Sequence, residues 1–225
     1  SGYEKINTMA LYSQIAVEQD LPFIPGLKAK GAIAYDPSNS LDKLWRLPTH
    51  INSIVDTSQH PYVFKNAIFD QPLASLNETH RQSYQLTYQA SLNYVKSFGN
   101  SNITALALFE AKSNDSLSLA ASRRNYNVTI DEIDLGSSSQ ADMTTNGSSN
   151  STRQLGLLYR LTYNYAQKYF FEASGRYDGS YYFAPGNRFG FFPAFSAGWR
   201  LSQENFLKDI TWISNLKIRG SYGEV

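Results

Sequence analysis

Tyr84-Gln85-Leu86-Thr87-Tyr88-Gln89-Ala90-Ser91-Leu92-Asn93-Tyr94 sorts by parity without exception. The even positions are Tyr, Leu, Tyr, Ala, Leu and Tyr, whereas the odd positions are Gln, Thr, Gln, Ser and Asn. Successive side chains of a β-strand point to opposite faces, so this stretch predicts a strand with one apolar and one polar face. A helix would mix the two sets around its circumference.

The same pattern recurs on both sides of this stretch. Leu157, Tyr159, Leu161, Tyr163 and Tyr165 oppose Leu158, Arg160, Thr162 and Asn164. Tyr169, Phe171, Ala173, Gly175 and Tyr177 oppose Phe170, Glu172, Ser174, Arg176 and Asp178. Phe189, Phe191, Phe195, Ala197, Trp199 and Leu201 face away from Ser196, Gly198, Arg200 and Ser202, and Leu216, Ile218 and Tyr222 oppose Lys217, Arg219 and Ser221. Only Leu158 and Phe170 break the polarity of the first two of these runs. Weaker alternation occupies residues 7–19, 26–36 and 101–112, giving about eight strands in all. A turn of helix is expected only at Gln203–Asp209 and Ile210–Asn215.

Links between the runs alternate in length. Those at Asp20–Gly26, Ser97–Ser101, Tyr165–Tyr169 and Ser202–Asn215 are short, whereas residues 37–80 and 113–152 are long and polar. Outer-membrane barrels have short periplasmic turns and long external loops, so the two long segments are expected to be extracellular. Gly136–Thr152 is expected to be a loop tip too poor in apolar residues to order itself. About ten residues at roughly 3.3 Å each, tilted by about 45°, rise about 23 Å, enough to cross an apolar band of roughly 25 Å. Tyr163, Tyr165, Tyr169 and Phe171 surround one short turn, where an interfacial aromatic girdle would lie.

Composition agrees with these strands. Among 225 residues are 16 Tyr, 13 Phe and 3 Trp, and no apolar run approaches the roughly 18 residues of a membrane helix. With 20 basic and 19 acidic residues the charge balance gives no case for nucleic acid. Cysteine is absent, which excludes disulfides and thiolate metal sites. His50, His60 and His80 lack metal-ligand spacing, and Asp131, Glu132 and Asp134 lack the glycine and periodicity of a dedicated calcium loop. No metal site, cofactor site or catalytic constellation is expected. Neither an initiator Met nor a signal segment opens the sequence, and it stops in or just after an apparent strand, so both ends read as cut.

The segment Gly156–Gly223 resembles the barrel of SusC/RagA-family TonB-linked outer-membrane transporters. Tyr159-Arg160-Leu161-Thr162-Tyr163-Asn164-Tyr165 carries the resemblance, followed by Lys168-Tyr169-Phe170-Phe171-Glu172-Ala173-Ser174-Gly175-Arg176-Tyr177-Asp178-Gly179-Ser180. It continues through Phe183-Ala184-Pro185-Gly186-Asn187-Arg188-Phe189-Gly190-Phe191-Phe192-Pro193, Ser196-Ala197-Gly198-Trp199-Arg200-Leu201 and Asn215-Leu216-Lys217-Ile218-Arg219-Gly220-Ser221-Tyr222-Gly223. Pro25-Gly26-Leu27-Lys28-Ala29-Lys30-Gly31 and Ser101-Asn102-Ile103-Thr104-Ala105-Leu106 look like further strands of that kind.

The resemblance implies an all-β fold in which residues 1–225 form part of one antiparallel transmembrane barrel of about 22 strands. It also implies import of bulky nutrients, glycans or oligopeptides, across the outer membrane of a Gram-negative bacterium. A SusD-type surface lipoprotein and the TonB complex, reached through a plug region outside this sequence, are the implied partners, with outer-membrane lipid around the wall. Alternatives are a passive porin, a self-contained eight-strand barrel, and a soluble β-sandwich that binds carbohydrate.

Arg160, Glu172, Arg176, Asp178, Arg200, Lys217 and Arg219 are the candidate lumen-lining residues. Of these, Arg176 and Asp178 would touch substrate or plug, although inward charges that pair with one another and hold the wall's shape are the plainer reading. Trp45 and Tyr62, near Pro48 and Pro61 in the first long segment, are candidates for stacking on sugar rings.

Overall fold

The computed structural model describes residues 2–58, 60–69, 72–207, 210 and 212–224. Its strands are β1 (Gly2–Ala10), β2 (Gln14–Asp20), β3 (Leu27–Arg46), β4 (Thr49–Asp56), β5 (Val63–Phe69), β6 (Ala74–Phe98), β7 (Ser101–Tyr126), β8 (Met143–Tyr165), β9 (Tyr169–Ser180), β10 (Phe189–Arg200) and β11 (Lys217–Gly223). The main sheet runs β1-β3-β6-β7-β8-β9-β10-β11, with β2 also on β3 and β4–β5 as a separate hairpin. β1 and β2 pair with successive stretches of β3, which makes eight strand positions. Among the described residues β1 and β11 do not pair, so the sheet is open.

The break between β1 and β2 has a local cause. Pro37 has no N–H to give to a neighbouring strand and stands in the middle of β3. Opposite it, Leu11 N–H reaches the Pro37 carbonyl at 3.0 Å, and Ser13 is only half in the ladder, its carbonyl accepting the Tyr35 N–H at 3.0 Å while its own N–H donates to Asp36 Oδ1 at 3.1 Å.

The chain forms two compact units. One comprises Ser1–Leu11, Pro37–Tyr84 and Asp115–Asn150. Its core joins Trp45, Ala74, Leu76 and Tyr126, with Trp45 edge-on to Tyr126 at 4.8 Å. Beside it, Lys43 bridges Asp131 at 2.9 Å and Glu78 at 3.3 Å, and the Tyr3 hydroxyl donates to Asp131. That hydroxyl and then the Lys43 ammonium hold the Asp131 carboxyl down at about 2. Regular pairing therefore runs far into residues 37–80 and 113–152, where loops were expected, and Met143–Thr152 is strand rather than loop tip. These stretches are polar or mixed on both sides, so they show no alternation to read. Helix is confined to single 3₁₀ turns at Ile133–Leu135, Gln140–Asp142 and Leu201–Gln203. Lys208, Asp209 and Thr211, within the segments expected to turn helically, lie outside the described residues.

The second unit comprises Tyr12–Asp36, Gln85–Asn114 and Ser151–Val225. Its register aligns the parity faces of neighbouring strands. Leu157 pairs with Tyr177 and Tyr177 with Phe191, while Ala173 pairs with Phe195 and Phe195 with Tyr222. On the other face Thr162 pairs with Glu172, Glu172 with Ser196 and Ser196 with Ser221. The apolar set is the exposed one: Val17 is 69 % accessible, Leu92 48 %, Phe195 53 % and Ile218 60 %. Total accessible surface is 15867 Å², about half as much again as the roughly 10,000 Å² of a compact protein of this mass.

Tight turns close this unit's hairpins. Ala166 and Gln167 link β8 to β9 with φ of 53° and 54°, left-handed values that side chains other than Gly and Asn seldom adopt. Asn164 Oδ1 receives the Gln167 N–H at 2.9 Å and so supports the turn. Tyr165, Tyr169 and Trp199 stack in sequence around it at 6.4 Å spacings. Glu204, beyond β10, collects the Tyr169 hydroxyl at 2.7 Å, the Trp199 indole N–H at 3.1 Å and the Lys168 ammonium at 3.0 Å. The aromatic stack is thereby tied to the turn. These donors, Tyr169 first and then Trp199 and Lys168, lower the Glu204 carboxyl to about 2.

Two outcomes follow for the full-length protein in detergent. Because the folded Glu204 titrates at about 2, below its ordinary 4.5, its stabilisation is complete above pH 4.5 and is lost as pH falls towards 2. Glu204→Gln therefore lowers the urea midpoint at neutral pH, and the gap to the parent closes over that acid window. Gly26 has φ +93° and a Cβ there would run into the Val95 carbonyl oxygen, so Gly26→Ala is expected to cost at least about 2 kcal/mol in the same titration.

Candidate functional site

Parity decides which side chains meet. The polar face of the second unit carries a row of charges contributed by neighbouring strands. Arg160 of β8 and Glu172 of β9 pair at 2.8 Å. Arg176 and Asp178, two residues apart on β9, pair at 3.0 Å through Nε, with a second contact from Nη2 at 3.1 Å. On β7, Lys112 meets Glu110 at 2.8 Å, and Gln89 of β6 donates to the same carboxylate at 2.6 Å. A concavity of about 420 Å³ lies between Glu110, Lys112, Arg176, Asp178, Asn187 and Arg188.

These pairs stand in contact with solvent, where an ion pair contributes at most about 1 kcal/mol. Their value is in geometry. Each long cation is held along the sheet by a carboxylate, so the face is lined by fixed charge of both signs. Nothing in this arrangement places a nucleophile beside a base, and among the described residues no group of three His, Cys, Asp or Glu converges. Asp131 is taken up by Tyr3 and Lys43, while Asp134 turns to Arg123 at 3.5 Å.

The other candidates divide. Arg200 and Lys217 stand on either side of the β10–β11 ladder as a register pair, and Arg219 pairs with Gly198. Lys217 Nζ lies 3.7 Å from the centre of the Phe170 ring and the Arg200 guanidinium 5.3 Å from it. Phe170, a breaker of polarity in the sequence, is thus the apolar platform of a cationic group. Trp45 does not fit a stacking role: it is 4 % exposed and packed against Tyr126, so its ring presents no open face to a sugar. The β3 strand continues past Pro37 and carries Trp45 into a core that a loop would not have formed. Tyr62 is 43 % exposed and lies edge-on to His60 at 4.5 Å.

Glu110 and Lys112 escaped the sequence reading, which had placed Gln89 on a polar face without a partner. Asn102, Thr104, Glu110 and Lys112 share one parity, but Leu106 and Leu108 interrupt the polar set and hide it.

No family model matches the chain. It is 34% identical over 134 residues to the TonB-dependent receptor P3 of Formosa agariphila, which covers 59% of this chain and 13% of the relative. The TonB-dependent receptor SusC of Bacteroides thetaiotaomicron is 24% identical over 222 residues, 98% of this chain and 20% of its own length. The chain thus spans between 13% and 20% of the length of these curated relatives. Among solved structures, the RagAB peptide transporter superposes with a TM-score of 0.78 at 19% identity, over 98% of this chain and 23% of that one. The open-open state of the RagAB peptide importer gives 0.78 over 98% and 22%. These relatives carry the names of receptors and transporters. The chain is thus similar in sequence to TonB-dependent receptors, SusC among them, and its antiparallel sheet is similar in fold to the RagAB peptide transporter.

Proposed function

We propose that the chain is a section of the wall of a TonB-dependent outer-membrane importer of bulky nutrients, glycans or oligopeptides. One observation carries this reading: across adjacent strands the large apolar side chains are exposed together on one sheet face, and the charged ones on the other. In a barrel wall the first face meets hydrocarbon and the second an aqueous passage. A soluble sandwich would bury the apolar face against a second sheet, and the accessible area of 15867 Å² speaks against that.

Each part then has a role. Arg160, Glu172, Arg176, Asp178, Arg200, Lys217 and Arg219 line the lumen, and the wall performs no catalysis. The Tyr165, Tyr169 and Trp199 stack lies at the periplasmic boundary of the lipid, with Glu204 in the turn below it. Residues 37–80 and 113–152 lie outside the cell as tall strand extensions and the link between them. The β4–β5 hairpin exposes Ile51, Ile54, Val63, Phe64, Ile68 and Phe69, a surface suited to a SusD-type lipoprotein. Tyr62 beside it is the remaining candidate for stacking on a nutrient. Energy reaches the barrel from the TonB complex through a plug elsewhere in the full-length protein.

Site-directed spin labels test the two faces. Cysteine is absent from this stretch, so Phe195→Cys and Ser196→Cys place single labels on opposite sides of β10 in an otherwise cysteine-free full-length protein. In liposomes the label at 195 is expected to relax with oxygen and the label at 196 with a water-soluble nickel chelate. Equal access of the chelate to both would sink the membrane-wall reading.

A further inference from the structure

The apolar face of β8 ends on a charge. From Tyr165 back to Leu155 every second residue is apolar, and the next position of that parity is Arg153. Twelve positions separate Arg153 from Tyr165. At roughly 3.3 Å each and a tilt of about 45° they rise about 28 Å, just past an apolar band of roughly 25 Å. Arg153 therefore stands at the lipid boundary opposite the Tyr165, Tyr169 and Trp199 stack. Its Nη1 donates to the Thr152 carbonyl at 2.8 Å, and its own carbonyl accepts the Tyr181 N–H at 3.1 Å.

Next to Arg153 the face is hollowed. A groove of about 460 Å³ runs between Tyr88, Ala111, Leu155, Gly179, Tyr181 and Phe189, and Arg153 and Arg188 border it. Among the described residues no carboxylate lines it. Small residues keep it open. Ala111 contributes only a methyl group, and Gly179 lets the Phe189 ring lie across it, where a Cβ would run into that ring, and stack on Tyr177 at 5.2 Å. On the far side of Arg153 from the apolar band, Tyr181 and Tyr182 are exposed with ring centres 5.8 Å apart.

We propose that this groove holds one phosphorylated glycolipid of the outer leaflet, with an acyl chain in the groove, a phosphate on Arg153 and the attached sugar against Tyr181 and Tyr182. The order of the three chemistries along the strand selects the occupant. An acyl chain alone would find apolar surface anywhere on this face. The guanidinium adds a demand for phosphate, whose oxygens match its fork of donors, and the absence of a carboxylate from the lining leaves that demand uncontested there. The exposed tyrosines add flat apolar rings on which the C–H face of a sugar can pack, with hydroxyls at their rim. A glycerophospholipid supplies the first two features and not the third. This inference rests on the apolar face meeting lipid, and it names one lipid that stays at a fixed place on it.

Full-length protein purified in detergent and stripped of lipid is titrated with lipid A, the acylated disaccharide phosphate of lipopolysaccharide, and with the same lipid after removal of its phosphates. Native mass spectrometry counts the copies bound. One copy of the phosphorylated form is expected to bind at least about tenfold more tightly than the dephosphorylated form. Arg153→Gln is expected to bring the two forms to one affinity, and Ala111→Phe, which fills the groove, to weaken both. The proposal is overturned if Arg153→Gln keeps the preference for phosphate, if Ala111→Phe binds as the parent does, or if phosphatidylglycerol displaces lipid A at equal concentration. Absence of a bound copy in the parent overturns it as well. The spin-label contrast between 195 and 196 is read on the same preparations in liposomes, so loss of lipid binding with the contrast intact removes this site alone, whereas loss of the contrast removes the wall reading.

Discussion

Backbone hydrogen bonding is the constraint on which this structure depends. In hydrocarbon an unpaired N–H or C=O costs several kcal/mol, so a chain that crosses with strands must satisfy every peptide group between neighbours. Once pairing is fixed, the two-residue repeat leaves only one freedom, the choice of what stands on each side. The second unit uses that freedom across most of its ladders, as in Leu157–Tyr177–Phe191 and Thr162–Glu172–Ser196, with Leu158, Phe170 and Phe192 as the exceptions, opposite Arg176 or Asn164. A one-residue slip in any ladder would put arginine into lipid and tyrosine into water, so register is set by both solvents at once.

That constraint also explains what was legible in the sequence. Wherever a strand has one apolar and one polar face the parity pattern is visible, as at Tyr84–Tyr94, and the strands, their faces and the short turn at Ala166–Gln167 follow from it. The polar stretches of the first unit face water or one another, so no two-fold pattern marks them and their strands extend past the residues where the signal stops. The chemistry of individual side chains was legible to a smaller extent. The pairing of Arg176 with Asp178 is visible from spacing alone. The burial of Trp45 is not, because it depends on Leu76 and Tyr126, which come from other strands.

Residues that break the pattern prove the most informative. Phe170, an aromatic ring on the charged side, supports Lys217 and Arg200. Leu106 and Leu108 interrupt the polar parity of β7 and hide Glu110 and Lys112. Glu204, in a link with no periodicity, unites a phenol, an indole and an ammonium at the sheet's rim. Departures from alternation thus mark points where one side chain serves two strands, which a strand-by-strand reading cannot resolve.

The order β3-β6-β7-β8-β9-β10-β11 follows the chain, interrupted only by the β4–β5 hairpin, which folds upon itself. Each new strand is laid against the one most recently made, and even at the longer links, residues 47–73 and 127–142, the entropic cost of closure grows only slowly with length. A wall of this connectivity can grow by adding one hairpin at a time to an existing seam, with a single row of unpaired peptides open at any moment. Assembly machinery therefore has to shield one advancing edge rather than the whole sheet.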